Sequence, residues 1–417
     1  MATVQPTPDR LVGWVRGLGV RFLVLYFALY CVTTIQLLPF IGMLQAPLVE
    51  WAGRQVFGVD ATPRQNGSGD TTFHYVQLAT LAALALAGTL VWSLAARRPQ
   101  IAARALDWLR VVLRFTLLLA MISYGSQKVI PAQFADPALS QLIQPVGEVS
   151  PMGLLWMFMG YSASYTVFTG LAELAGGLLL ISRRTTLLGA LICAGVMSQV
   201  LMLNLSYDVP VKLYSAHLLA MALFLIAPDL PRLRDFFMLN RPVQPVPLGP
   251  LVAPNSTLHI VGRVGTVLLV SAYLLVSFAG AWSFRSYAQG STPSAELYGV
   301  WEVERFSVNG EERPPLLTDS TRWQRLVIDR YELATIQMMN DKRWRYRTII
   351  DEGTQRITLD PTGDGTSMMM LYKKSQPEQM EVRVVLRGRE ILATLRRRPL
   401  PLLTRGFHWI NEVPYNR

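Results

Sequence analysis

The sequence is poor in charged residues. Asp, Glu, Lys and Arg make up 16% of the 417 residues, whereas about 25% is usual in soluble globular proteins. Hydrophobic residues make up 51%, and the mean hydropathy is +0.29. These values exclude a disordered chain, a coiled coil and an ordinary soluble enzyme. They favour a membrane protein with several spans, and the length leaves room for a soluble domain as well.

Cysteine and histidine are also scarce. Cys31 and Cys193 are far apart and lie in apolar runs, which excludes a disulfide framework and a CxxC redox motif. We expect both to pack within the membrane. The four histidines show no metal-ligand spacing, so we predict no metal site. The net charge of +11 does not indicate nucleic acid as a partner, because the arginines lie mainly at the ends of apolar runs.

Seven apolar runs are long enough to cross the hydrocarbon core, which takes about 20 helical residues. They are residues 22–43, 74–95, 106–126, 164–182, 185–204, 212–228 and 260–284. Basic residues in the short loops predict the orientation. With the N-terminus in the cytoplasm, thirteen arginines lie on the cytoplasmic side and four basic residues on the other. Seven crossings therefore predict a periplasmic C-terminal domain at the inner membrane of a bacterium. An even number of spans would place that domain in the cytoplasm.

The pattern changes after residues 286–298, which have the composition of a linker. Short runs then alternate between apolar and polar residues and are separated by turn signals such as Asn309-Gly310, which is typical of antiparallel strands. Seven or eight strands predict a meander or closed barrel. Gly299 and Trp301 at the first strand resemble the opening of a lipocalin-type barrel. Two alternatives stay open: the barrel binds an apolar ligand, or side chains fill it.

The predicted architecture is therefore a polytopic α-helical membrane protein with an all-β domain at its C-terminus. Four regions are expected. Residues 1–100 hold the N-terminal helices and a periplasmic loop, residues 101–242 form a four-helix membrane bundle, residues 243–285 hold the final span, and residues 286–417 form the β domain.

Ionisable residues within the spans are costly, so each is a candidate functional residue. Glu173 lies about nine residues, or about 13 Å, from the outer end of its predicted span, close to the midplane. Lys128 ends the third span, and Asp208 and His217 flank the start of the sixth. We predict these four as catalytic residues, since all of them fall in the outer leaflet of the predicted topology.

Further polar residues accompany this set and are predicted to bind the substrate. They are Tyr124, Gln127, Asn204, Tyr207, Lys212, Asp70 and Thr71. Asp70, Thr71 or Thr72 is expected to cap the second span, where free backbone N–H groups favour an anion. Structural roles are the alternative for these residues. A Lys128–Glu173 pair would hold the bundle together, and an Asp208–Lys212 pair would fix a turn. His217 would be an interfacial histidine whose hydrogen bonds are made within the protein.

Residues 104–240 resemble the DoxX/DoxD-like membrane proteins. The resemblance rests on the motifs at 124–128 (YGSQK), 170–177 (GLAELAGG) and 208–212 (DVPVK). It implies a four-helix membrane bundle over spans three to six. Some members of that family are linked to thiosulfate:quinone oxidoreduction, and related bundles act as assembly factors or chaperones. The resemblance covers about a third of the chain.

Two classes of function follow. The first is a quinone-linked oxidoreductase or a subunit of one, in which Lys128 and Tyr124 hold a quinone carbonyl or a small anion and the other catalytic candidates move protons. Because the chain lacks a redox-active cysteine pair, a haem ligand pair and a flavin motif, this function would need a diffusible quinone or a partner subunit. The second is a non-enzymatic assembly, chaperone or ligand-binding factor that binds a lipid or a membrane partner. A transporter is a weaker third reading.

Overall fold

The structure is a computed structural model, and it describes residues 8–34, 39–95, 99–244, 257–290, 293, 296–363 and 366–416. The chain divides into two compact units. The first, here called the helical unit, comprises Met1–Phe134 and Pro151–Ala281. The second, the β unit, comprises Ala135–Ser150 and Trp282–Arg417.

The helical unit is built from apolar helices of very different lengths. They are α1 (Pro8–Thr34), α2 (Pro39–Ala52), α3 (Thr72–Ala95), α4 (Pro99–Val129), α6 (Pro151–Tyr161), α7 (Ala163–Leu179), α8 (Thr186–Ser206), α9 (Lys212–Ile226), α10 (Leu230–Leu233) and α11 (Thr257–Gly290), while the short α5 (Leu139–Leu142) belongs to the β unit.

Four of the described helices are long and apolar enough to cross a membrane. They are Thr72–Ala95, Thr186–Ser206, Lys212–Met238 and Ile260–Tyr287. The chain is thus built as a membrane protein, as its composition indicates. The count of seven spans and their orientation stay predictions.

Several predicted boundaries differ from the structure. The predicted first span, 22–43, overlaps two helices, since α1 ends at Thr34 and α2 begins at Pro39. Proline is favoured at a first helical position because it has no N–H to leave unpaired; residues 35–38 lie outside the described residues. The predicted linker 286–298 is wrong over its first part, because α11 continues to Gly290.

Glycines allow α4 and α7 to pack closely. A Cβ atom added to Gly170 would lie 2.7 Å from the Cβ of Lys128 and 2.9 Å from the carbonyl oxygen of Gly125. A Cβ on Gly177 would lie 2.8 Å from the Cβ of Met121. Small residues at such spacing let the two helix backbones approach each other. This contact brings Lys128 on α4 beside Glu173 on α7.

The β unit is a closed antiparallel barrel. Its strands are β1 (Gly299–Val308), β2 (Glu311–Glu312), β3 (Trp323–Ile328), β4 (Leu333–Met338), β5 (Arg343–Asp351), β6 (Arg356–Pro361), β7 (Met368–Gln376), β8 (Gln379–Leu386) and β9 (Arg389–Arg397), followed by α12 (Pro401–Thr404). β1 pairs with both β2 and β3, each strand from β3 onwards pairs with the next, and β1 also pairs with β9. Apart from the two-residue β2, eight strands close the barrel, which confirms the predicted architecture at this level.

Turn residues with positive φ angles place the hairpins. Asn309 and Gly310 connect β1 to β2 with φ angles of 52° and 81°. Arg387 and Gly388 connect β8 to β9 with φ angles of 50° and 76°. Two consecutive positive φ angles match the right-handed twist of the flanking strands, which is why Asn-Gly is a strong hairpin signal.

Side chains fill the barrel interior. Trp301, Leu326, Ile357, Met370 and Leu395 are fully buried in one apolar cluster. The indole N–H of Trp301 donates to the carbonyl oxygen of Leu297 over 2.9 Å. Of the two alternatives, the structure favours the filled barrel.

The segment 135–150 packs in the β unit although it lies between α4 and α6 in the sequence. Leu139 is buried against Val300 and Val327. The backbone N–H of Ser140 donates to the carboxylate of Asp329 over 3.2 Å. Burial raises the pKa of Asp329, although backbone N–H donors and the Arg330 guanidinium oppose this.

Two ion pairs also hold this segment. Arg330 pairs with Asp136, and Arg343 pairs with Glu148 at 2.5 Å. The β unit is therefore assembled from two stretches of chain, whereas the sequence analysis included this segment in the membrane bundle.

Candidate functional site

Lys128 and Glu173 form a buried ion pair between α4 and α7. Their exposed fractions are 6% and 2%, and the ammonium group of Lys128 donates to Oε1 of Glu173. The second carboxylate oxygen of Glu173 has no hydrogen-bond partner among the described residues. Two charges in such surroundings are stable only as a pair, because each one alone would lack water or a counter-charge.

Tyr124 connects this ion pair to the interior of the helical unit. The Lys128 ammonium group lies 5.9 Å from the centre of the Tyr124 ring. The Tyr124 ring also lies 6.1 Å from the ring of Tyr214 on α9. Tyr124 thus lies near both the ion pair and Tyr214 of the neighbouring helix.

Asp70 caps α9, not the helix that follows it. Its carboxylate oxygens accept the backbone N–H groups of Lys212 and Leu213 over 2.7 and 3.0 Å. The predicted cap of α3 by Asp70 is therefore wrong. The carboxylate satisfies the free N–H groups of α9 and favours its positive end. It acts as an anion supplied by the protein itself.

Backbone N–H groups at the start of α3 have hydrogen-bond partners within the same turn. The carbonyl oxygen of Thr71 accepts the N–H groups of His74 and Tyr75 over 2.9 and 3.3 Å. The backbone N–H of Thr71 donates to Nδ1 of His74 over 3.3 Å. The hydroxyl of Thr71 lies 2.8 Å from the same nitrogen. These pairings do not support an anion site at Thr71.

Lys212 and Asp208 form the ion pair that their spacing predicts, at 2.8 Å. The Asp208 side chain is 85% exposed, so this pair lies at the surface, apart from the buried pair. Asp208 has a φ angle of 51° in the turn before α9. The Gly69 N–H donates to the carbonyl oxygen of Pro210 over 2.8 Å, which joins the loop before α3 to this turn.

His217 faces α1 and does not join the other catalytic candidates. Its Nδ1 lies 2.7 Å from the carbonyl oxygen of Leu213. A carbonyl oxygen only accepts, so Nδ1 carries the proton and Nε2 accepts from the hydroxyl of Tyr26, 2.8 Å away. The ring stacks on Tyr30 at 4.0 Å. Both nitrogens are therefore used within the protein.

Three other predicted binding residues have internal partners. The amide nitrogen of Asn204 donates to the hydroxyl of Ser215 over 3.0 Å. Tyr207 packs against an apolar cluster that includes Phe134. The main-chain carbonyl of Gln127 accepts two N–H groups where α4 ends.

A cavity of about 610 Å³ lies within the helical unit. We call it the tyrosine cavity. Its lining residues are Tyr30, Cys31, Gly67, Ser68, Gly69, His74, Gln77, Leu78, Thr116, Leu119, Ala120, Ser123, Tyr124, Val211, Leu213, Tyr214, Met221 and Tyr273. They come from α1, α3, α4, α9, α11 and the loop before α3. Of the predicted site residues, only Tyr124 lines it.

Five polar side chains of the cavity lining have no hydrogen-bond partner among the described residues. The hydroxyls of Tyr30, Tyr124, Tyr214 and Tyr273 and the side-chain amide of Gln77 make no hydrogen bond to any described residue. A cavity whose lining is mainly apolar and includes several tyrosines is suited to a ligand that supplies several oxygen acceptors.

Sequence reasoning missed most of these lining residues because it searched for ionisable groups in the spans. Tyr30 and Tyr273 stand in apolar runs, where a tyrosine hydroxyl is also costly to bury unpaired. That signal was in the sequence. The described residues contain no group of three or more His, Cys, Asp and Glu side chains that fits a metal ion.

Comparison with known proteins finds a similarity to YwoB of Bacillus subtilis (strain 168), which is described as an uncharacterized protein. The two chains are 32% identical over 120 residues, which are 28% of this chain and 74% of YwoB. No protein-family model and no solved structure matches the chain.

Proposed function

We propose that this chain, which belongs to the same family as YwoB, binds a lipid-soluble molecule of the quinone class in the tyrosine cavity. In the same proposal, its bundle is of the DoxX/DoxD-like type and its barrel is lipocalin-like. The Arg397 guanidinium lies 5.3 Å from the centre of the Trp301 ring and covers this Trp at the barrel opening. This contact supports the lipocalin-like assignment of the barrel.

The observation that carries the proposal is the set of four tyrosines that line one cavity and whose hydroxyls make no hydrogen bond to a described residue. A quinone ring presents carbonyl oxygens at opposite edges, and each can accept hydrogen bonds from a tyrosine. Its apolar tail suits a protein that lies in a bilayer. The volume of about 610 Å³ falls in the usual range for small-molecule sites.

The proposed location is the inner membrane of a bacterium, with the N-terminus in the cytoplasm and the β unit in the periplasm. The excess of arginine in alternate loops supports this orientation.

The proposed chemistry is quinone-linked oxidoreduction with a partner subunit as electron source. Quinone reduction takes up protons as well as electrons, and the Tyr124 hydroxyl lies in the cavity lining while its ring contacts Lys128. Reduction to the quinol would take two electrons from the partner subunit and two protons ultimately from water, with the Tyr124 hydroxyl as the donor of a proton to one quinone oxygen. The alternative is a non-enzymatic factor that uses the same cavity for binding only.

Equilibrium binding of a short-tailed quinone analogue to purified protein tests the proposal. Tyr124→Phe and Tyr214→Phe each remove one hydroxyl, and we expect each to weaken binding about tenfold, the cost of one buried hydrogen bond. Tyr165→Phe is the control, since Tyr165 is exposed and does not line the cavity. Unchanged affinity in both cavity variants would contradict the site.

Turnover distinguishes the two versions of the function. With isolated membranes as the source of partner subunits, reduction of the bound analogue that Tyr124→Phe slows supports the oxidoreductase. Tight binding with no reduction supports the non-enzymatic factor.

A further inference from the structure

The C-terminal segment 400–416 exposes large apolar side chains. Phe407 is 77% exposed, Trp409 91%, Ile410 77% and Val413 73%. Exposed apolar residues are normal when scattered singly, whereas a run of them marks an interaction surface. This run follows directly on the last barrel strand and α12.

Internal contacts hold the segment in shape. The Arg405 guanidinium donates to the side-chain oxygen of Asn411 over 2.7 Å and lies 4.1 Å from the centre of the Tyr415 ring. Phe407 meets Trp409 edge to face at 5.0 Å. The exposed side chains therefore project from a structured segment.

The segment leaves the barrel at the end where the chain arrives from α11. The N–H of Arg398 donates to the carbonyl oxygen of Val300 at the start of β1. Leu400 packs in the cluster of Leu139 and Val300. Leu139, Leu142 and Ile143 of the segment 135–150 pack at this same end.

The chain between α11 and β1 is short. Eight residues separate the end of α11 at Gly290 from Gly299, and a fully extended chain of that length spans at most about 30 Å. Trp282, Phe284 and Tyr287 are exposed on the last turns of the apolar stretch Ile260–Tyr287. Aromatic residues in that position are typical of the interface between lipid and water.

We propose that the C-terminal segment is a second membrane contact, in which Phe407, Trp409, Ile410 and Val413 insert into the interfacial layer of a lipid bilayer. Tryptophan suits this layer because its ring is apolar and its N–H is polar. The bilayer is favoured as the occupant because the chain that leads from α11 into β1 reaches the barrel at this end. The inference does not depend on the tyrosine cavity.

Site-specific fluorescence in vesicles tests the contact. The full chain carrying Trp409→Cys is labelled with a polarity-sensitive fluorophore and reconstituted in vesicles of phosphatidylcholine and phosphatidylglycerol. Nitroxide-bearing lipids and aqueous iodide then quench the label in separate experiments. The control is Glu311→Cys on the exposed β1–β2 hairpin, at the opposite end of β1. The chain without an added cysteine gives the background, since Cys31 and Cys193 are buried.

We expect the label at position 409 to be quenched several-fold more by lipid than the label at 311, and less by iodide. Equal lipid quenching at the two positions would overturn the proposal. Protection of position 409 from both quenchers would also overturn it, since that result indicates a protein contact. Val413→Cys repeats the measurement on the same surface in case Trp409→Cys alters the segment.

Discussion

At the scale of single residues, the Lys128–Glu173 pair lets two charged side chains be buried between α4 and α7. The pair was predicted from spacing and hydropathy, since both residues stand out in or beside apolar runs. Asp70 and His217 stood out equally, but their partners lie 142 and 191 residues away in the chain, at Lys212 and Tyr26. Local pattern carries no information about such distant partners, so the roles of these two residues could not be predicted.

Breaking the buried pair from one side should be costly. We expect Lys128→Met to lower the free energy of unfolding by about 3–5 kcal/mol, because Glu173 is left as an uncompensated buried charge. The double variant Lys128→Met, Glu173→Leu should recover most of that loss. Denaturant unfolding in detergent measures both.

A surface pair provides the control for this cycle. Asp208→Asn removes the 85% exposed partner of Lys212 and should cost at most about 1 kcal/mol. If the double variant loses as much unfolding free energy as Lys128→Met and Glu173→Leu lose together, the two residues are not coupled as described.

At the scale of elements, the apolar–polar alternation and the turn residues predicted those parts of the structure that depend on local contacts. Alternation predicted the strands, and Asn309-Gly310 marked a hairpin that the structure contains. The predicted span 22–43 failed because continuous hydropathy does not show where one helix ends and the next begins, as between Thr34 and Pro39. The role of 135–150 could not be predicted, since its partners Asp329 and Arg330 lie almost 200 residues later.

The α4–α7 contact predicts opposite effects for two helical glycines. Gly170→Ala should lower the melting temperature, because the new methyl group would meet Lys128 and Gly125 at 2.7 and 2.9 Å, with a cost of about 1–3 kcal/mol. Gly195→Ala on α8 has no atom within 4 Å of the new methyl group and should be neutral or stabilising by up to about 1 kcal/mol. Thermal unfolding in detergent compares the two, and equal melting temperatures would contradict the close approach.

At the scale of the whole molecule, composition correctly predicted a membrane protein joined to a β domain. It did not predict that the β unit also includes residues between two helices of the other unit. Nor did it predict the tyrosine cavity, because six separate stretches of chain contribute its lining. Such a site depends on packing over the whole unit.

The pH dependence of the β unit tests the attachment of 135–150. Burial raises the pKa of Asp329, so the folded unit binds this proton more tightly than the unfolded chain. The contribution of Asp329 to stability therefore falls as pH rises from about 4, the ordinary pKa of aspartate, and levels off above the raised pKa. Asp329→Asn should lack this component.

Hydrogen exchange of Ser140 and of β3 in the full chain, corrected for intrinsic rates, measures the effect. The difference in opening free energy between the Asp329→Asn variant and the wild-type chain should change in favour of the variant from pH 4 towards neutral pH. A difference that stays constant over that range would contradict the buried carboxylate.

The central claim, that the tyrosine cavity holds a quinone-class molecule, is tested most directly by experimental density of the protein purified in its native lipids. We predict planar density in the cavity, with oxygen positions within hydrogen-bond distance of the hydroxyls of Tyr124 and Tyr214, and loss of that density in the Tyr124→Phe, Tyr214→Phe double variant. A cavity that contains only separate water peaks, or a lipid tail without hydrogen-bonding atoms, would contradict the claim.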